Sequence, residues 1–241
     1  MDTAALLAPL REDPASAALV LDVDGTLAPI VARPELARVP AETRSELERL
    51  VGRYGLVACI SGRVGEEAAA LVGVPGIRYV GNHGLELDPR AAEHARAIAR
   101  FRAEVDGAWP VEDKRLSLSF HYRDAADERA ALAVLERIAE RAVAAGLEAR
   151  LGRKVLEVRP AGGADKGVAV RALLGRQPLR NALYAGDDAT DLDAFRGLAE
   201  AGLEHAVRVA VSSPEVAPAL LGSADVVVEG PPGLLALLRG L

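Results

Sequence analysis

Cysteine is almost absent: Cys59 is the one thiol in 241 residues, which excludes an intramolecular disulfide and suits a reducing compartment. It lies in the apolar run Leu56-Val-Ala-Cys-Ile60, where a small core residue is a simpler reading than a nucleophile. Aromatics are scarce as well, at 3% against 50% hydrophobic residues, so the core has to be built from Ala, Leu and Val. No apolar run approaches the ~18 residues of a membrane span, and the opening MDTAALLAPLRED has no basic segment of the kind that starts a secretory signal. A cytoplasmic monomer with no membrane partner is the expectation. A basic surplus is missing too. The net charge of −6 leaves no broad positive surface for nucleic acid, so an anionic ligand would have to meet locally arranged cations or a metal. Lysine is rare even among the cations: of 29 basic residues only Lys114, Lys154 and Lys166 are lysines.

What is present alternates. Short apolar runs at Leu19–Val23, Leu56–Ile60, Ile77–Val80, Ala182–Ala185, Val207–Val211 and Val226–Val228 read as strands. Helical patterns at Ala41–Arg53, Val64–Val72, Lys166–Leu174, Asp191–Ala199 and Pro214–Leu221 fall between several of them. This is the pattern of an α/β core, a mostly parallel sheet flanked by helices, with ligands expected beyond the carboxyl ends of the strands. The middle of the chain differs. Leu116, Leu118, Phe120 and Tyr122 alternate with Ser117, Ser119, His121 and Arg123, then a helical pattern follows, then a hairpin around Gly152. These features predict an inserted α+β domain at 88–160, with residues 1–87 and 161–241 forming the core.

The stretch Leu19-Val-Leu-Asp-Val-Asp-Gly-Thr26 places Asp22 and Asp24 at the end of a strand that burial should keep free of charge. A calcium loop starting at Asp22 would need an oxygen ligand at its fifth position and Glu at its twelfth, and the latter position holds Arg33 with no helix preceding Asp22. That reading is rejected. Three more polar segments follow strands or open helices: Ile60-Ser-Gly-Arg63, Ala164-Asp-Lys-Gly167 and Tyr184-Ala-Gly-Asp-Asp-Ala-Thr-Asp191. Taken singly, each has a plainer use. Ser61 could cap the next helix, Lys166 could be a solvated helix residue, and Asp187 could be an acid at a helix start. Thr190 with Asp193 three residues on has the form of a helix-capping box.

In this order the four segments resemble the motifs of the haloacid dehalogenase (HAD) superfamily of phosphatases. The resemblance implies a Rossmann-like core and an inserted cap. It implies Asp22 as nucleophile forming an aspartyl phosphate, and Asp24 as the acid that protonates the leaving oxygen and then activates water. It further implies Ser61 and Lys166 holding the phosphoryl group, and Mg²⁺ bound by Asp22, the main-chain carbonyl of Asp24 and Asp187, with Asp188 and Asp191 in support.

Gly81-Asn-His-Gly84, Lys114–Arg123 and Gly152–Pro160 resemble segments of the trehalose-6-phosphate phosphatases in particular, as do DVDGTLAPI and GDDATDLDAF. That likeness implies a sugar-phosphate substrate, trehalose 6-phosphate, held by Arg63, Asn82, His83, Lys114, Arg123 and Glu157. Without it, Arg123, Glu157 and Arg159 read as an ordinary solvated strand face. One position departs: Leu192 stands where that family's last motif usually carries Glu. Two other functions stay open, a phosphatase for sucrose phosphate or mannosylglycerate phosphate, and a catalytically silent sugar-phosphate-binding module.

Overall fold

In the computed structural model, which describes residues 2–241 apart from 32, 106, 153 and 215, the apolar runs become strands and the periodic stretches helices. The chain begins α1 (Thr3–Glu12), β1 (Ala17–Leu21), α2 (Ala41–Val51), β2 (Leu56–Ile60), α3 (Gly65–Val72) and β3 (Arg78–Val80). It continues α4 (Ala91–Glu104), β4 (Glu112–Asp113), β5 (Leu118–His121), α5 (Glu128–Ala144), β6 (Leu147–Gly152) and β7 (Val155–Pro160). The last part runs α6 (Lys166–Leu174), β8 (Asn181–Gly186), α7 (Asp191–Ala199), β9 (His205–Ser212), α8 (Pro218–Ser223), β10 (Val226–Glu229) and α9 (Gly230–Arg239).

Two compact units result, Met1–Gly84 with Ala164–Leu241, and Leu85–Gly163. The inserted unit is thus a few residues longer at each end than the 88–160 read from the sequence. Its ends are tied to it: Arg90 Nη2 donates to Gly162 O (2.8 Å), Gly162 N donates to Glu148 Oε1 (3.2 Å), and Leu85 packs so close to Gly163 that a Cβ there would meet it at 2.6 Å.

The first unit holds a parallel sheet in the order β10-β9-β8-β1-β2-β3. All residues of β1 and β8 are buried, because helices cover both faces of a parallel sheet. Leu7 and Leu10 of α1, Leu47 and Leu50 of α2, and Leu234 and Leu238 of α9 enter one core with Leu19, Leu21, Leu183 and Val209. Helices α1, α4 and α9 were not expected from the sequence. Proline hides α1 and α9, since Pro9 sits inside α1 and prolines occupy the first turn of α9, where a missing N–H costs nothing. In α4 the buried face is only His94, Ile98 and Phe101, thin among arginines and alanines.

The second unit is an antiparallel sheet in the order β4-β5-β7-β6. The alternation in β5 and β7 puts Leu118, Phe120, Leu156 and Val158 into a core with Phe101 of α4 and Leu135 and Ile138 of α5. Among the described residues no helix is long and apolar enough to cross a membrane.

Candidate active site

Since β1, β2 and β8 are neighbours and parallel, the residues that follow them gather at one edge of the sheet. Leu21 is in register with Cys59 on one side and Ala185 on the other, so Asp22, Ser61 and Asp187 come off adjacent strand ends. Cys59 itself is fully buried with its thiol pKa pushed well up by burial, which suits packing and not nucleophilic chemistry.

Beyond β1 the chain turns sharply. Leu27 N and Ala28 N both donate to Val23 O at 2.9 Å, and Gly25 N donates to Ala28 O at 2.7 Å. Gly25 takes φ +84°, and a Cβ on it would lie 2.0 Å from Asp187 Oδ2, so both the backbone angle and the space demand glycine. Thr26 is buried and donates its hydroxyl to Asp187 Oδ1 at 3.0 Å. The turn after β1 therefore fixes the carboxylate that follows β8.

Lys166 lies at the start of α6, whose cap is Asp165 accepting from Val168 N at 2.8 Å. It is buried, not solvated, and Nζ donates to Asp22 Oδ1 (2.8 Å) and Asp191 Oδ1 (2.6 Å). Asp191 is fully engaged: Tyr184 OH also donates to Oδ1 (2.6 Å) and Asp188 N donates to Oδ2 (2.8 Å). Asp188 itself is exposed. Asp187 precedes α7 by several residues and is held by Thr26, so it is no helix-start acid. Thr190 stands at the N-cap position of α7 but its side chain makes no cap hydrogen bond, contrary to the sequence expectation. It has helical angles (φ −66°, ψ −19°) where a side-chain cap needs extended ones, its Oγ1 is buried with no partner among the described residues, and Asp193 pairs with Arg196 instead.

Asp22, Asp187 and Asp191 place carboxylate oxygens within 4.8 Å of one another. Three buried carboxylates face one ammonium, a surplus of negative charge in a place that solvates it poorly. Burial raises the Asp22 pKa well above the usual range, against the pull of Lys166, and burial with Asp191 nearby pushes Asp187 up to about 7. For Lys166 burial works against the charge, but Asp191 and Asp22 overcome it and hold the pKa above its ordinary value. A divalent cation fits this donor set: the oxygens are hard, and the one oxygen each of Asp22 and Asp187 that accepts no side-chain hydrogen bond among the described residues remains available. Asp191, whose oxygens already accept from Lys166, Tyr184 and Asp188 N, is better placed to support the set than to lead it.

Ser61 is buried, and its Oγ accepts from Arg63 N at 3.2 Å. It does not cap α3, which begins at Gly65 behind Val64. Arg63 reaches Asp24 with a two-pronged contact, Nε to Oδ2 and Nη2 to Oδ1, each 2.7 Å. Asn82 and His83, both with left-handed backbone angles (φ 51° and 53°), are tied back to the same segment, Asn82 N to Arg63 O and His83 N to Ser61 O, both 2.8 Å. Gly62 leaves room for the His83 ring, whose Nε2 would lie 2.6 Å from a Cβ at that position.

The remaining sequence candidates belong to the second unit. Glu157 is half-buried on β7, opposite Ser119 of β5 and Arg150 of β6, on the sheet face away from the apolar core. Lys114 lies between β4 and β5 with Nζ 3.9 Å from Glu112 Oε2, which His121 Nε2 meets at 2.7 Å. Arg123 is exposed in the turn after β5, because the strand stops at His121 and not at residue 123 as the alternation implied.

Sequence reasoning gave no role to Gly25, Thr26, Gly62 or Tyr184. The first three stand inside the quoted motifs. Tyr184 is hidden in the apolar run of β8, where a phenol reads as core.

The trehalose-phosphatase family model matches residues 20–220 of the chain. A trehalose-phosphate phosphatase of Mycobacterium marinum is 35% identical over 214 residues, covering 79% of this chain and 54% of the relative. The chain thus spans about half the length of the curated relatives it matches. Among solved structures, the C-terminal domain of a trehalose-6-phosphate phosphatase from C. albicans superposes with TM-score 0.72 at 23% identity, covering 99% of this chain and 96% of that one. A haloacid dehalogenase-like hydrolase from Bacteroides thetaiotaomicron gives TM-score 0.61 at 16% identity over 93% of this chain and 98% of that one, which makes the fold HAD-like.

Proposed function

Because the chain belongs to the trehalose-phosphatase family, we propose that it is a Mg²⁺-dependent phosphatase that hydrolyses trehalose 6-phosphate to trehalose and phosphate. The observation that carries this reading is the buried set at the strand edge, Asp22 and Asp191 sharing Lys166 while Asp187 keeps an oxygen open beside them.

Asp22 attacks phosphorus, the P–O bond to the sugar breaks, and an aspartyl phosphate forms. Lys166 holds the Asp22 carboxylate in one orientation and offsets phosphoryl charge. Ser61, at the next strand end, donates its hydroxyl to a phosphoryl oxygen. Asp24 delivers a proton to the departing sugar oxygen, then takes one from the water that attacks the phosphoenzyme, which restores Asp22 and frees phosphate. Mg²⁺, held by Asp22, the Asp24 carbonyl and Asp187, would neutralise repulsion between carboxylate and phosphate when bound. Asp188 and Asp191 keep that set in place. The unit Leu85–Gly163 acts as the specificity cap, Glu157, Arg123 and Lys114 binding sugar hydroxyls, while Arg63, Asn82 and His83 contribute from the core.

Phosphate release from a panel of sugar phosphates, run with Mg²⁺ and again with EDTA, tests the proposal. An EDTA-sensitive preference for trehalose 6-phosphate is expected. Metal-dependent release from sucrose phosphate or mannosylglycerate phosphate alone would replace the substrate, and binding without release from any would replace the enzyme by a silent binding module.

A further inference from the structure

In the arrangement described, Asp24 is not free to do acid chemistry. Both of its oxygens accept from the Arg63 fork, which holds the side chain on the guanidinium and leaves neither oxygen turned toward a leaving group. The fork is also placed to be broken. The Asp24 side chain is 41% exposed and that of Arg63 18%, so solvent softens the pair where the Lys166 contacts are sealed. Arg63, through its main chain, is anchored to Ser61 Oγ and to Asn82 N, so its guanidinium can change partner without its backbone leaving the phosphoryl-binding segment. A phosphate dianion offers a guanidinium the same two-oxygen geometry as a carboxylate with more charge, so it competes well for the fork.

We propose that Arg63 is an exchange latch: in the resting protein it sequesters Asp24, and on binding a phosphate monoester it passes to phosphoryl oxygens and releases Asp24 toward the leaving group. Arrival of the anion then arms the acid, and Asp24 stays docked until phosphate is present. The inference rests on the proposed phosphatase reading for its purpose but not for its measurement. No bond is made or broken in the exchange; two hydrogen bonds to carboxylate are replaced by two to phosphate.

The test reads the two partners directly. In the full chain carrying Asp22→Asn, so that nothing turns over, the Arg63 Nε–H and Asp24 Cγ resonances are assigned with Arg63→Lys and Asp24→Asn and followed while trehalose 6-phosphate, and separately inorganic phosphate, is added with Mg²⁺. Both resonances are expected to move together along one saturation curve, with either ligand. Trehalose alone should move neither. If the Asp24 and Arg63 signals stay in place while the Ser61 amide reports saturation, or if no phosphate binds, the latch is overturned. The enzyme reading is judged apart from this: a chain that shows the exchange yet releases phosphate from no sugar phosphate keeps the latch and loses the phosphatase. A kinetic split supports the same point. Arg63→Met should raise KM by about 10-fold or more for both trehalose 6-phosphate and 4-nitrophenyl phosphate, since the phosphoryl group is what they share. An Arg63 that only braced the fold would lower the unfolding temperature and leave KM for the aryl ester unchanged, which would contradict the exchange.

Discussion

Replacing Lys166 with Met tests the charge balance of the strand edge most severely. The side chain keeps most of its length, one atom short, and loses the ammonium that Asp22 and Asp191 share at 2.8 and 2.6 Å, with all three groups sealed from solvent. Removing one partner of a buried ion pair costs about 3–5 kcal/mol, because the other partner is left charged and unsolvated. For a chain of this size each kcal/mol lowers the unfolding midpoint by about 2–4 °C, so a fall of roughly 6–20 °C is expected in the metal-free protein. Protonation of a carboxylate would limit the loss toward the lower figure. Divalent cation should then stabilise the variant more than the native chain, since three carboxylates now stand with no ammonium. For scale, a ligand at 100 times its dissociation constant contributes about 2.7 kcal/mol. Differential scanning calorimetry in EDTA and in Mg²⁺ gives all four midpoints. A metal-free variant melting within about 2 °C of the native protein would refute the claim that this cluster is short of positive charge.

Three other outcomes follow from single contacts. Gly25→Ala, whose Cβ would meet Asp187 Oδ2 at 2.0 Å, should weaken Mg²⁺ binding by about 10–100-fold in calorimetric titration, and native affinity would show that Asp187 is not held by this turn. Tyr184→Phe removes only the hydroxyl bonded to Asp191 and should cost about 1.5–3 kcal/mol in urea unfolding; a loss below about 0.5 kcal/mol would mean Asp191 is satisfied without it. Glu157→Ala should raise KM for trehalose 6-phosphate far more than for a small aryl phosphate, and equal changes on both would remove Glu157 from the sugar site.

The parallel sheet was legible because its strands are unbroken apolar runs: Leu56–Ile60 matches β2 residue for residue, and Lys166–Leu174 and Asp191–Ala199 match α6 and α7. The segments that gather at the strand edge were legible for the same reason, since an Asp or Ser after a buried run has to lie at its end. Helices whose apolar face is thin or whose first turn is proline were not, as α4 and α9 show. Thr190 misled because a capping box is a statement about backbone angles, and the chain there is already helical. The Arg63–Asp24 fork could not be read at all. It joins the ends of two different strands, and sequence spacing says nothing about which oxygen a guanidinium reaches.

The central claim is that Asp22 carries the phosphoryl group. Rapid mixing with trehalose 6-phosphate in Mg²⁺, acid quenching and reduction with tritiated borohydride would convert an aspartyl phosphate to labelled homoserine, located by peptide sequencing. Label at position 22, absent from Asp22→Asn, is the predicted result. Steady release of phosphate with no label at position 22, or with label at another acid, would contradict it.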